Sequence, residues 1–154
     1  MKIQPYLHFK DNCEEAFNFY AKALGGKIIM ISRYKDMPPQ PEGSAPPEGC
    51  ESPTPADMVA LADKIMHARL DVNGEILMGS DTPPSFAHPG MHGFSVALGF
   101  DTGAEAEKAF HALAEGAREI GMPIGETFWA ERFGMLVDRY GVNWMFNGGE
   151  KKGP

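Results

Sequence analysis

The sequence contains no run of apolar residues approaching the roughly 18 that are needed to cross a bilayer. It is also poor in positive charge, since 14 Lys and Arg face 21 Asp and Glu and give a formal net charge of −7. Binding to the phosphate backbone of nucleic acid, or to an anionic membrane surface, requires a basic face. The composition therefore argues against nucleic acid and against a membrane as partners.

Cysteine is scarce as well. Cys13 and Cys50 are too few for a disulfide framework, and we expect two free thiols in a reducing cytoplasm. Residues 1–9 lack the basic stretch and apolar segment of a secretion signal, which also favours a cytoplasmic protein. The sequence has no G-x-S-x-G elbow, no P-loop and no C-x-x-C pair, so the common nucleophile, phosphate and redox motifs are missing.

The 154 residues, 43% of them apolar, suffice for one domain or for two tightly fused modules. In the first half, residues 3–9 alternate between apolar and polar-capable side chains, which predicts a strand. Asn12 is a candidate N-cap, and the apolar spacing that follows predicts a helix ended by Gly25-Gly26. Further strands are predicted over residues 27–34, 64–72 and 75–79, the last two joined by an Asn73-Gly74 hairpin turn.

Residues 35–57 are polar and rich in proline, and no regular element fits them. A loop of this length is usually functional or mobile, although a tolerated insertion would have the same composition. The sequence leaves both possibilities open.

The second half repeats this order of elements. A strand over residues 94–100 precedes a helix over 104–120, which Gly121-Met122-Pro123 would end. The remaining predicted strands cover residues 125–133, 134–139 and 142–147. Asp, Gly and Met recur at equal spacing in residues 71–78 and 138–145, as expected for a duplication. We therefore predict an α+β fold of two βαβββ modules, residues 1–82 and 83–154, which together form one domain.

Several segments carry a resemblance to a known family. They are Pro5-Tyr6-Leu7-His8-Phe9, Asn12-Cys13-Glu14-Glu15-Ala16, Phe19-Tyr20, Leu24-Gly25-Gly26, Ile65-Met66-His67-Ala68, Glu126-Thr127-Phe128-Trp129 and the stretch 133–144. With them the chain resembles the vicinal oxygen chelate superfamily of glyoxalase I, bleomycin-resistance proteins and extradiol dioxygenases, and most of all its PhnB-like branch.

The resemblance implies a curled mixed or antiparallel sheet around a shared cleft, and a homodimer. Some PhnB-like proteins carry the name of a ubiquinone-precursor methyltransferase. This chain has no Gly-rich strand–turn–helix motif for a methyl donor, so we do not expect that activity.

The resemblance also implies where a divalent metal would bind in the glyoxalase type, with one His, Glu or Gln from each of four strands. The corresponding positions are Gln4 (or Pro5, if the register slips by one), Met78, Ser95 and Met145. Thioether sulfur is too soft for the cations involved. We therefore expect no metal quartet and no cofactor. The alternative is a displaced metal site that includes His8, His67 or His92, with Glu126 as a further candidate.

Strand alternation directs polar and adaptable side chains into the implied cleft, as in a small-molecule pocket. The candidate ligand-binding residues are Gln4, Tyr6, His8, His67, Met78, Ser95, Phe128, Trp129, Asn143 and Met145. Structural roles are the alternatives. Met78 and Met145 could fill a closed core, and His8 and His67 could only make hydrogen bonds within the sheet. Phe128 and Trp129 could form a dimer contact. Arg33 could meet an acidic group or simply be solvated.

The sequence therefore predicts a protein that binds a small, partly apolar molecule in a cleft without the usual metal. The alternative is a glyoxalase- or dioxygenase-type enzyme with a displaced metal, or with His8 or His67 as acid and base.

Overall fold

A computed structural model of the chain describes residues 1–38 and 53–151. The backbone divides into two compact units, one formed by Met1–Ala21 and Gly26–Pro89 and the other by Lys22–Gly25 and Gly90–Pro154. Each unit contains one four-stranded mixed sheet, which confirms the predicted α+β class and the duplicated order of elements. The exact module boundary at residues 82 and 83 stays a prediction.

The first unit has one sheet with one long helix. Its elements are β1 (Tyr6–Phe9), α1 (Cys13–Leu24, whose last three residues group with the second unit), β2 (Lys27–Arg33), α2 (Pro55–Ala60), β3 (Ile65–Val72) and β4 (Glu75–Asp81). The strand order is β1-β4-β3-β2, with β1 parallel to β4 and the other pairs antiparallel. Asn73 and Gly74 both have positive φ (54° and 91°), as the predicted two-residue hairpin turn requires.

Helix α1 covers one face of this sheet. Phe17 packs edge-on against Phe9, with ring centroids 6.1 Å apart, and both side chains are buried. A Cβ at Gly79 of β4 would lie 2.8 Å from the Phe17 ring, so glycine is what allows the helix to lie this close. The alternation in β1 therefore places Leu7 and Phe9 under the helix, and Tyr6 and His8 on the opposite, helix-free face.

The second unit repeats this arrangement. Its elements are β5 (Val96–Phe100), α3 (Gly103–Leu113), β6 (Glu119–Gly125), β7 (Ala130–Val137) and β8 (Asn143–Glu150), in the sheet order β5-β8-β7-β6. Helix α3 packs on the face that carries Gly134, Phe146 and Gly148. Trp144 is buried, as its parity opposite to Met145 predicts.

The predicted end of the second helix is wrong. The helical apolar spacing continues to Ile120 in the sequence, but α3 ends at Leu113 and Gly116 has a φ of +69°. At Arg118, whose N–H donates to Val137 O at 2.9 Å, the chain has already begun to pair with β7. Proline at 123 does not stop this strand, because β6 lies at the sheet edge and pairs only with β7.

Three other predicted boundaries also need correction. The strand predicted over residues 125–133 is split by a loop at 126–129, which leaves Glu126 outside any strand. The first strand begins at Tyr6 rather than at residue 3. Part of the stretch 35–57 is regular, since a 3-10 turn covers Tyr34–Asp36 and α2 begins at Pro55, while residues 39–52 lie outside the described part of the chain.

Asp57 stabilises the start of α2 and ties it to the loop after β4. Its carboxylate accepts hydrogen bonds from Ser85 Oγ (2.5 Å), Thr54 N (2.7 Å), Thr54 Oγ1 (2.8 Å) and Ser85 N (3.1 Å). The Ser85 hydroxyl, followed by the other donors, lowers the pKa of Asp57 from 3.8 to about 2.

We expect this carboxylate to contribute stability above pH 4 and to lose that contribution as the pH falls from about 4 to about 2, because only the ionised form accepts all four bonds. Melting temperatures of the wild-type chain and of Asp57→Asn should differ at pH 6 and converge near pH 2. An equal difference at both pH values would contradict the assignment.

Candidate functional site

The helix-free face of the first sheet carries a row of four side chains that crosses all its strands. Tyr6 of β1 is paired with Met78 of β4, which is paired with Arg69 of β3, which in turn is paired with Met30 of β2. Because paired residues in a sheet project to the same side, these four side chains form a continuous surface. It combines two thioethers, a phenol and a guanidinium.

His8 and His67 flank Tyr6 on this face. Tyr6 Oη and His67 Nδ1 share a hydrogen bond of 3.1 Å, and the two rings are stacked with centroids 5.6 Å apart. The His8 ring lies 5.1 Å from that of Tyr6. The structure thus brings together four of the residues predicted from the first half, Tyr6, His8, His67 and Met78. Gln4 is half-buried and precedes β1.

Arg69 is the residue that sequence analysis missed on this face. Its Nε is buried and has no hydrogen-bond partner among the described residues. Arg33, which was considered in its place, is already paired, since its two terminal nitrogens donate to the Glu14 carboxylate at 2.8 and 2.9 Å and hold the pKa of Glu14 below its usual value. Strand alternation could have identified Arg69, because it places Arg69 on the same face of β3 as His67.

The second sheet has a comparable helix-free face, with more apolar character. Met145 of β8 is paired with Ala97 of β5 on one side and with Met135 of β7 on the other. One step along, Asn147 is paired with Gly99 and with Phe133. The face is therefore built from two methionines, one aromatic ring, one amide and two very small residues.

Two details of this face concern its exposed position Gly99 and the neighbouring Asn147. A Cβ added at Gly99 would meet no atom within 4 Å. Beside it, Asn147 Oδ1 is buried without a hydrogen-bond partner among the described residues. A buried amide oxygen next to open space is suited to accept a hydrogen bond from a bound molecule.

The other residues predicted from the second half lie at or near this face. Asn143 Nδ2 donates to Met91 O at 2.9 Å, so that donor is already used within the unit. Ser95 directly precedes β5 and is half-buried. Trp129 contacts Phe133 edge-on at 5.3 Å and so extends the face, whereas Phe128 is 87% exposed on the loop before β7.

The four positions that would hold the metal of the glyoxalase type form two pairs, and the duplication relates the members of each pair. Gln4 is two residues before Tyr6, the partner of Met78, and Ser95 is two residues before Ala97, the partner of Met145. The duplication therefore aligns the positions as expected, but their donors are an amide, a hydroxyl and two thioethers. Such a set does not fit a hard or borderline divalent cation.

Histidine and carboxylate side chains offer no substitute for that set within residues 1–38 and 53–151. No group of three or more His, Cys, Asp or Glu side chains in these ranges is arranged to hold a metal ion. His92, included among the candidates for a displaced site, is exposed in the second unit. His88 Nε2 donates to the backbone oxygen of His8 at 2.7 Å and so is already engaged.

Cys13 is not a candidate nucleophile. It is free and buried at the start of α1, and burial, with Asp81 and Glu14 nearby, raises the pKa of its thiol far above the usual value. Cys50 lies outside the described residues.

An open depression of about 320 Å³ lies at the start of α3 in the second unit. It is lined by Gly103, Ala104, Glu107, Glu126, Glu131 and Arg132. Its polar groups are engaged: Arg132 with Glu107 at 3.3 Å, Lys151 with Glu126 at 2.5 Å, and Gly103 N with Glu131 at 3.0 Å. Because these polar groups already pair with one another, we do not assign a ligand to this depression.

The fold, the duplication and the two helix-free faces agree with a family match. Residues 2–146 match the model of the glyoxalase/bleomycin resistance protein/dioxygenase superfamily, and the chain belongs to this superfamily. No helix in the described part of the chain is long and apolar enough to cross a membrane. The cytoplasmic location stays a prediction.

Among individual proteins, the chain is similar to protein YjdN of Escherichia coli K12, with 34% identity over 96% of this chain and 95% of the relative. It is also similar to two solved structures. Protein PA1353 of Pseudomonas aeruginosa shows 41% identity and a TM-score of 0.79, with 98% of this chain and 99% of that one covered. A Bacillus cereus PhnB protein, described as a candidate 3-demethylubiquinone-9 3-methyltransferase, shows 28% identity and a TM-score of 0.67 over 96% and 99% of the two chains.

Proposed function

We propose that this protein binds a small, partly apolar molecule on the helix-free faces of its sheets, without the metal quartet of the glyoxalase type. The observation that carries the proposal is the buried, unpartnered Asn147 Oδ1 beside the open space at Gly99. Met145 and Met135 lie one step away on the same face, and their flexible thioether side chains adapt to ligands of irregular shape. The metal positions carry neutral thioether, amide and hydroxyl groups, which give the site no charged centre.

A ligand titration followed by NMR tests this proposal. Benzamide, a neutral probe with an apolar ring and an amide donor, should shift the backbone amide signals of Gly99, Met145 and Asn147. Gly99→Leu should abolish these shifts by filling the open space, while the protein stays folded because a Cβ at that position meets no atom within 4 Å. The matched control is Ala56→Leu at an exposed position on α2, which should leave the shifts unchanged.

Two results would overturn the proposal. One is the absence of any benzamide-induced shift on either helix-free face at millimolar concentration. The other is metal analysis that finds stoichiometric Ni, Zn, Mn or Fe retained through dialysis, because a resident cation would require a donor set different from the four positions described above.

The hydrogen bond between Tyr6 and His67 supports a second candidate, an enzyme that uses this pair as acid and base. An imidazole can exchange protons near neutral pH, and its phenol partner would fix its tautomer. If this holds, any turnover found with a small-molecule substrate should collapse in His67→Gln and persist in His111→Gln, an exposed histidine on α3.

We infer in addition that the chain forms a homodimer. Apolar side chains are exposed on one edge strand of each sheet: Ile29 (48%) on β2, and Ile120 (44%) and Met122 (39%) on β6. Exposed apolar edges of this kind favour association. Sedimentation velocity should give twice the monomer mass at micromolar concentration, and a monomeric mass would contradict the inference.

A further inference from the structure

The helix-free face of the first sheet holds a positive charge that the described residues do not neutralise. Arg69 lies in the middle of β3, between Met30 and Met78 on the neighbouring strands, and its side chain is half-buried. Its Nε is fully buried and unbonded, and none of the ion pairs among the described residues includes Arg69. A buried N–H without an acceptor is unfavourable, so it needs a reason.

Nearby carboxylates do not supply that acceptor. Asp71, two residues further along the same strand and on the same face, accepts from Gly74 N at 2.8 Å in the hairpin turn. Asp81 of β4 is paired with Phe9 and lies on the helix-covered face, where it is 1% exposed and accepts from Cys13 N and Ile65 N, both at 2.9 Å. Both carboxylates already accept backbone hydrogen bonds within the first unit, so the guanidinium fork of Arg69 is available to a ligand.

We propose that Arg69 recognises an anionic oxyacid group, a carboxylate or a phosphonate, on a small ligand bound to the helix-free face of the first sheet. This inference rests on the proposed function and specifies its ligand class. The guanidinium fork offers parallel N–H donors that match the paired oxygens of such groups. Met30, Met78 and the Tyr6 ring, which lie in the same row, would contact the apolar part of the ligand.

The overall negative charge of the chain means that a preference for acidic ligands needs a local cause. At a net charge of −7 the protein does not attract anions in general, and long-range electrostatics oppose their approach. A preference for acids over neutral molecules of the same shape must then come from a local positive group. Arg33, the other arginine of this sheet, is excluded from that role by its paired contact with Glu14.

The test compares benzoate and phenylphosphonate with benzamide, their neutral analogue, by NMR titration of the full chain, with affinities for this face taken from the backbone amide signals of Met30, Arg69 and Met78. Both acids should bind at least about tenfold more tightly than benzamide, since a charge-assisted pair to a buried donor is stronger than a neutral contact. Arg69→Gln should reduce this ratio to about one and retain benzamide binding. Arg69→Lys keeps the charge without the fork and should retain part of the ratio. The matched control Arg33→Gln, with the same charge change in the same sheet, should retain all of it.

The Nε–H signal of Arg69 in the unmodified protein gives a second measurement that does not depend on the stability of a variant. Benzoate should shift it and benzamide should not. Equal affinities for acid and amide, or an unchanged ratio in Arg69→Gln, would overturn the role of Arg69 and leave the proposed function standing. Failure of all three probes to shift any signal on either helix-free face would overturn the proposed function itself.

Discussion

Replacing Asp138 by asparagine is expected to lower the free energy of unfolding by about 3 kcal/mol, because hydrogen bonds to a buried charged group contribute about 1.5–3 kcal/mol each. The Asp138 side chain is 0% exposed. Its Oδ1 accepts from Tyr140 N (2.8 Å) and Val142 N (3.0 Å), and its Oδ2 accepts from the indole Nε1 of Trp144 (2.8 Å). In either orientation, an asparagine amide would direct N–H donors at one of these N–H groups.

The duplication provides the matched control. Asp71 occupies the equivalent place in the first unit, where it is half-buried and has one backbone bond, to Gly74 N at 2.8 Å. Asp71→Asn should therefore cost less than about 1 kcal/mol. Urea unfolding followed by far-UV circular dichroism would give both values. Equal losses for the two variants would show that the buried indole contact does not set the cost.

The second large effect is expected at Gly148, where α3 lies against β8. A Cβ at this position would lie 2.6 Å from the Cβ of Ala106 and closer still to the Thr102 carbonyl oxygen. Both neighbours belong to the first turn of the helix or to its N-cap, so neither can rotate away. Gly148→Ala should reduce stability by about 2–3 kcal/mol, as overpacking of a close helix–sheet contact does.

Gly99→Ala is the control for this substitution. Gly99 lies in β5, in the strand that pairs with β8, but faces open space on the opposite side of the sheet. We expect a change within about 0.5 kcal/mol in the same urea experiment. A loss comparable to that of Gly148→Ala would mean that the helix-free face is packed at this point, which would also count against a binding site there.

Much of the fold could be predicted from the sequence because its signals are local. The helix Cys13–Leu24 has the predicted bounds, since an N-cap candidate, a regular apolar spacing and two glycines all act within one segment. The hairpin at Asn73-Gly74 was predictable for the same reason, because only a few residue types tolerate positive φ at both positions. The order of elements in the second half followed from the repeat.

The boundaries that were wrong depend on tertiary pairing. The stretch 117–120 continues a helical pattern, but pairing with β7 gives its backbone a better set of partners than another turn of helix. Proline in an edge strand is acceptable only because of its place in the sheet, which a single sequence does not reveal.

The same distinction between local signals and tertiary contacts applies to the candidate site. Strand alternation correctly placed Tyr6, His8, Met78 and Met145 on helix-free faces, because side-chain direction has a period of two. Arg69 and Asn147 stand out because each has a buried polar atom without a hydrogen-bond partner among the described residues. This property can be recognised only once the surrounding side chains are placed.

The parallel pairing of the first and last strands of each unit has a consequence for synthesis on the ribosome. Tyr6 cannot pair with Met78, nor Val96 with Trp144, until almost the whole unit has been translated. The hairpins next to β4 and β8 close early, because loop closure favours short separations. Until β1 or β5 docks, the nascent chain presents an unpaired apolar strand edge, which makes slow translation and crowding the conditions under which this protein would aggregate.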